Sequence, residues 1–164
     1  MGFVCQGRYA LAPIEPTDAE KYVNLQLDCM EQTYDPIYFD ALGESFTARH
    51  RAERNEYLED FHRHLASPTV RGFFAYEVPG WTPDGGLSCS IGAHIDWDKP
   101  VGLALSLCEQ SAWELERADN LPELPADTRK LTHLYTLNHT HGTGLGQALY
   151  ESVIYPDENS YLWV

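Results

Sequence analysis

The spacing of apolar positions changes along the chain, and each change marks a different kind of element. Between Thr17 and Tyr34, the residues Tyr22, Leu25 and Cys29 recur at helical spacing. Thr17 stands where an N-cap is expected, and Glu20 three residues on completes a capping box. A loop is expected near DPIYFDALGES, followed by a second helical stretch, TARHRAERNEYLEDFHRHLA. Its apolar face is Tyr57, Leu58, Phe61 and Leu65, and Pro68 ends it. The period then shortens. RGFFAYEV and CSIGAHIDW read as strands around the turn-rich VPGWTPDGG, and VGLALSLC is a third apolar run, together an antiparallel meander. GRYALAPIEP, near the start, is an opening strand closed by two prolines.

From Glu109 to Lys130 the chain is acidic and broken by prolines, with a short helix expected around Ser111–Ala118. LTHLYTL is a strand that runs into NHTHGTGLGQALYESVI, a turn and a helix. PDENS makes a turn, and YLWV begins a last strand. Helices first, a meander next and a strand–turn–helix–strand unit last predict an α/β fold with a mixed sheet. At 164 residues, 43% of them apolar, the chain is expected to form one globular domain over 1–164.

Charge narrows the partners. Eleven basic against 25 acidic residues give a formal −14, which repels phosphate backbones and argues against nucleic-acid binding. Arg49, Arg51, Arg54, Arg63 and Arg71 are the only basic gathering, and acidic residues interrupt it. Solubility is sufficient to explain the net charge; the sharper alternative is a cationic small substrate, such as an amine, drawn to an acidic cleft. The first residues are too short for a secretory signal and no apolar run reaches membrane-span length, so a cytoplasmic protein without membrane association is expected. Cys5, Cys29, Cys89 and Cys108 form no CxxC pair and are expected to be reduced and mostly buried. His62 with His64, and His139 with His141, are spaced as H-x-H, but neither pair has partners at ligand spacing, so no metal is expected. A surface helix is the expected place of the first pair.

The stretch HTHGTGLGQALYESV, residues 139–153, carries the candidate chemistry. Gly142, Gly144 and Gly146 stand at the mouth of a helix, although each glycine costs roughly 1 kcal/mol against alanine inside one. A helix start has unpaired N–H groups and the positive end of the macrodipole, so a bare backbone there suits a phosphate or pyrophosphate. Close packing of helix on strand, without a ligand, is the alternative. A P-loop needs a lysine after its last glycine, where this chain has Gln147; a dinucleotide fingerprint counted from Gly142 would want its third glycine at Gln147 as well.

LYTLNHTHGTGLGQAL resembles motif A of the GNAT superfamily of acetyl-CoA-dependent N-acetyltransferases: a strand, a short turn, then [QR]-x-x-G-x-[GA] opening a helix. Gly144 and Gly146 take the small positions, His141 stands where that family has Gln or Arg, and VGLALSL resembles the preceding strand. The resemblance implies a mixed, mostly antiparallel sheet flanked by helices. It also implies an acetyl-CoA site, without a metal, made of Tyr135, Thr136, Leu137, His141, Gly142, Thr143, Gly144, Leu145, Gly146 and Gln147. The amides from Gly142 to Gly146, with Gln147, would hold the pyrophosphate. The strand edge at Tyr135, Thr136 and Leu137 would pair with the pantetheine arm. A family bulge there would aim the N–H near Leu137 at the thioester oxygen, as an oxyanion donor.

Strand alternation puts His133, Tyr135 and Leu137 on one face, which makes His133 the base expected to take a proton from the amine. Glu109, Glu114 and Glu116 are rivals in the preceding loop. The H-G pair at His141–Gly142 is similar to a variant among small-amine and polyamine acetyltransferases. The family usually continues with a further helix, carrying a tyrosine acid, and two more strands; this sequence stops at YLWV, so those parts are expected to be missing, to come from a partner chain, or to belong to a longer protein. A homodimer is common in that family.

The expectation is therefore an N-acetyltransferase acting by direct attack of a primary amine on acetyl-CoA. A small amine or polyamine comes first as acceptor, with amino acids, antibiotics and protein N-termini open. A non-catalytic acyl-CoA-binding or sensor module of the same fold is the alternative.

Overall fold

The computed structural model describes residues 2, 4–82, 94–117 and 124–163. Six strands lie side by side in the order in which they occur: β1 (Val4–Gln6), β2 (Tyr9–Pro13), β3 (Arg71–Glu77), β4 (Gly102–Leu107), β5 (Arg129–Thr136) and β6 (Ser160–Tyr161). Each neighbouring pair is antiparallel except β5 with β6, which run parallel through Arg129↔Ser160 and Lys130↔Tyr161. Beyond Lys130, the outer edge of β5 pairs with no strand among the described residues. The mixed, mostly antiparallel sheet flanked by helices is as the sequence predicts.

The period-2 alternation sorts the strands' side chains onto two helical layers. Ala10, Phe74, Tyr76, Leu103, Leu105 and Leu107 pack under α1 (Ala19–Leu42) and α3 (Arg54–Leu65), with Tyr22, Leu27 and Phe61 from the helices. Tyr9, Leu11, Ala75 and Ala104 meet Leu145, Leu149 and Val153 of α5 (Leu145–Val153) on the other face. β4 is buried along its whole length, covered on both faces.

Several elements depart from the sequence expectation. The capping box lies two residues earlier, between Glu15 and Asp18, on a 3-10 turn at Pro16–Asp18 that leads into α1. α1 continues through the expected loop to Leu42 despite Pro36. A proline removes one N–H and so frees the carbonyl four residues back. Here that carbonyl belongs to Gln32, and Asn138 Nδ2 donates to it at 3.4 Å while the Gln32 side chain accepts from Asn138 N at 2.8 Å. The turn after β5 thus compensates the helix break. The second helical stretch is two helices, α2 (Phe46–Ala52) and α3, divided at Glu53. Phe61 is buried on α3, and Tyr57, Leu58 and Leu65 pack against the same core, as the periodicity predicts. α4 (Ala112–Arg117) is the expected short helix.

Of the expected strand CSIGAHIDW, Cys89–Ala93 lie outside the described residues and His94–Trp97 are not strand; β3 pairs directly with β4. Cys29 is buried, which pushes its thiol up to about 12, and Cys5 and Cys108 are half-buried; all three are free thiols. No helix among the described residues is long and apolar enough to cross a membrane.

Candidate functional site

β5 ends at Thr136, turns through a 3-10 segment at Asn138–Thr140, and enters α5 by way of the three glycines. The turn is braced from within. Thr140 Oγ1 donates to Leu137 O at 2.7 Å, Thr143 Oγ1 donates to Thr140 O at 2.5 Å, and Tyr9 Oη hydrogen-bonds Thr143 Oγ1 at 2.8 Å. Gly142 and Gly144 have φ of 75° and 85°, a left-handed conformation that side chains with a Cβ resist. Gly146 has no such constraint, and a Cβ built there meets nothing within 4 Å. Close packing is therefore not what these glycines serve. The glycine that packing requires is Gly102 on β4, where a Cβ would come within 2.9 Å of Leu149 Cδ1 and 3.1 Å of Tyr135 O.

Within the turn, Thr143 N donates to Thr140 O at 3.3 Å and His141 N to Asn138 O at 3.1 Å. The N–H groups of Gly142, Gly144, Leu145, Gly146 and Gln147 meet no acceptor among the described residues. They are the orphan donors of a helix start, gathered on one exposed turn. The Leu145 side chain is buried beneath them in the α5 core, so the helix end is anchored while its amides stay bare. Gln147 Nε2 donates to Glu151 at 2.7 Å, and His141 Nε2 lies 3.3 Å from Thr136 O.

The strand edge corrects one expectation. Leu137 N donates to Val101 O at 3.0 Å, so this amide is turned toward β4 and is not an open oxyanion donor. Leu103 lies opposite Tyr135 and Gly102 opposite Thr136. Backbone groups alternate in an antiparallel ladder, so Tyr135 and Leu137 bond inward, while Leu134 and Thr136 present theirs to the open edge. The bulge on β5 is also elsewhere: Leu105 pairs with His133 but Ser106 with Leu131, leaving Thr132 as the extra residue. This brings Lys130 onto the same face as His133 and Tyr135.

His133 itself faces α1 and α3. Its Nδ1 lies 2.5 Å from Tyr22 Oη, and the rings of His64 and Tyr135 each stand 5.6 Å away. Burial, helped by the charges of His64 and Lys130, depresses the imidazolium to about 3. A ring so held is neutral, and a weaker proton acceptor than a free imidazole. The rivals are no better placed. Glu114 is fully buried and accepts from Lys130 Nζ at 2.5 Å, Trp163 Nε1 at 2.5 Å, Tyr161 Oη at 3.3 Å, and both the N–H and hydroxyl of Ser111. Burial alone would raise its pKa, but the Lys130 and Ser111 donors bring it down to about 2. Glu109 is similarly opposed by burial yet held below its ordinary value by the hydroxyls of Thr69 and Ser67. Glu116 is exposed.

His64 does not lie on an open helix face: it is half-buried and turned toward His133, with burial lowering its pKa. Its partner at i−2, His62, is exposed. No group of three or more His, Cys, Asp or Glu among the described residues is placed to hold a metal. Tyr22 had no functional signal in the sequence, and His64 only its H-x-H spacing with His62. Tyr22 is separated from His133 by 111 residues, and only its membership of an apolar face was legible.

The sequence matches no protein-family model and no curated protein. Solved structures share its fold. A GCN5-related N-acetyltransferase from Ralstonia eutropha matches with a TM-score of 0.53 and 14% identity over 95% of this chain and 83% of its own. The aminoglycoside N-acetyltransferase AAC(6')-Iy in complex with CoA gives 0.52 and 11% over 100% and 79%. The same enzyme with the bisubstrate analog CoA-S-monomethyl-acetylneamine gives 0.50 and 12% over 95% and 79%. At such identities the likeness establishes the architecture: this chain has the fold of the GNAT acetyltransferases.

Proposed function

We propose that the chain is an N-acetyltransferase that binds acetyl-CoA across the open edge of β5 and the start of α5, and transfers the acetyl group to a primary amine. The observation that carries this is the set of bare amides at Gly142, Gly144, Leu145, Gly146 and Gln147, on glycines that packing does not require. These amides, at the positive end of α5, suit the pyrophosphate. The edge groups of Leu134 and Thr136 suit the amide-bearing pantetheine arm, which a strand edge binds as it would another strand. One of their N–H groups takes the oxyanion role expected of Leu137. Bound acetyl-CoA supplies an activated thioester. The amine nitrogen forms the new C–N bond, the C–S bond breaks, and the proton lost by nitrogen ends on the thiolate sulfur.

An amine acceptor agrees with the −14 net charge, which draws cations, and with the acetylneamine part of the analog bound by AAC(6')-Iy. A small amine or polyamine is the acceptor of first choice. Calorimetry with acetyl-CoA tests the binding half: the wild-type chain takes up the thioester, and Gly146→Asp does not. Equal affinity in the two would remove the site. Thiol release with a panel of polyamines, amino acids, aminoglycosides and peptides tests the transfer half; binding without release from any of them would leave a non-catalytic acyl-CoA-binding module.

A further inference from the structure

The Tyr22–His133 contact joins the first helix to the middle of β5 and has no part in the coenzyme cradle. Tyr22 is 1% exposed, and its ring is wedged between Phe61, at 5.0 Å between centroids, and Phe74, at 6.2 Å. Its hydroxyl therefore has one position, 2.5 Å from His133 Nδ1. Two proton arrangements fit that distance. If Nδ1 carried the proton and donated to the hydroxyl, the Tyr22 O–H would need a second acceptor, and none is found among the described residues. A buried hydroxyl left without an acceptor is costly. With Tyr22 as donor and Nδ1 bare, both groups are satisfied, and in a neutral imidazole the proton then sits on Nε2.

The surroundings oppose any second proton on the ring. From α1 it is faced by Tyr22, from α3 by His64, and along β5 by Tyr135 and Lys130, whose charge is paired with Glu114 of α4. None of these is an unpaired carboxylate that would stabilise an imidazolium.

We propose that Tyr22 is a positioning residue that holds His133 in its neutral form, bare at Nδ1 and protonated at Nε2, with an N–H to donate and no proton to take at Nδ1. A use of that N–H in acetyl transfer rests on the reading above; the proton arrangement does not. The amine proton must leave by water or another group.

Two experiments on the full chain separate these parts. Long-range 1H–15N spectra of histidine-labelled protein, with the His133 signals assigned by their loss in His133→Gln, should show one neutral form with Nδ1 unprotonated from pH 5 to 9. In Tyr22→Phe the Nδ1 signal should move and the two neutral tautomers should mix. A doubly protonated ring at neutral pH, a proton on Nδ1, or a spectrum indifferent to Tyr22→Phe would overturn the assignment. The wild-type spectrum decides the point even if that variant fails to fold, and it needs no catalytic activity. The kinetic arm compares kcat/KM for acetyl transfer. A donor role predicts about a tenfold loss in His133→Ala, the size of one hydrogen bond, and a smaller loss in His133→Gln, which keeps a neutral N–H. A general base would lose about 100-fold or more in both variants, and that result would overturn the donor role.

Discussion

The two ends of β5 are built on opposite principles. At its N-terminal end, Arg129 and Lys130 are 6% and 5% exposed, and every buried charge has a counter-charge. Lys130 meets Glu114 at 2.5 Å, while Glu158 takes a two-pronged grip from Arg71 at 2.7 Å on each oxygen and lies 3.6 Å from Arg129 Nε. These pairs tie α4, β3 and the turn before β6 to the strand. At its C-terminal end the chain leaves β5 for a turn whose foremost amides meet no acceptor among the described residues. Buried ions must be matched when the chain folds, because an unpaired charge in the interior is severely destabilising. Donors at an exposed helix start can stay with water until an anion replaces it. One end is closed by folding; the other keeps bare donors at the surface.

The largest test of that contrast is at the closed end. Glu114→Ala leaves the Lys130 ammonium buried without a partner and should lower unfolding free energy by about 3–5 kcal/mol, measured by urea denaturation, with acetyl-CoA affinity of the surviving folded fraction little changed. Acid should act on the same groups. The folded-state pKa values of Glu114 and Glu158 are both depressed from 4.5 to about 2. Their contribution is therefore complete above pH 4.5 and is lost as pH falls toward 2. Melting temperatures across that window should drop steeply in the wild type and less steeply in Glu114→Gln; equal slopes would detach acid stability from the Glu114 pair.

At the open end, Gly146→Asp should do the reverse. Its Cβ has room, so stability should hold while acetyl-CoA affinity falls by about 100-fold, the few kcal/mol of placing like charges together. Gly144→Ala mixes the two effects. The alanine must take φ 85°, which costs about 1–2 kcal/mol of stability, and binding should weaken less than in the aspartate variant. Thr143→Val removes the bonds to Tyr9 and Thr140 and should cost about 1 kcal/mol, seen as a small fall in melting temperature. If Thr143→Val instead matched Glu114→Ala in stability, the two ends of β5 would not differ as described.

The glycine turn was legible in the sequence because its cause is local. Glycines in a left-handed turn and a helix with bare amides are written within a few neighbouring residues. β2, β3 and β5 were legible for the same reason, through alternation, and β4 as a short apolar run, whereas β1 was not foreseen and His94–Trp97 are not strand. The sequence predicts a loop after Tyr34 where α1 runs on to Leu42, because the partner that satisfies the carbonyl freed by Pro36, Asn138, lies 106 residues from Gln32. The environment of His133 was not legible, because the burial that holds its ring neutral, the charges of His64 and Lys130 and the Tyr22 hydroxyl at Nδ1 come from different parts of the chain. The inward turn of the Leu137 amide was not legible, because strand parity shows which side chains share a face, while the direction of an amide depends on which neighbour the strand pairs with.

The amino-acid order by itself determined most of the helices and strands and the glycine turn, since each depends on backbone preferences that act over a few bonds. Tertiary structure decided which amides stay open, which carboxylates are spent in ion pairs and which nitrogen of His133 holds its proton. Those are matters of electrostatics and hydrogen bonding between groups brought together only when the sheet closes, and no spacing along the chain records them.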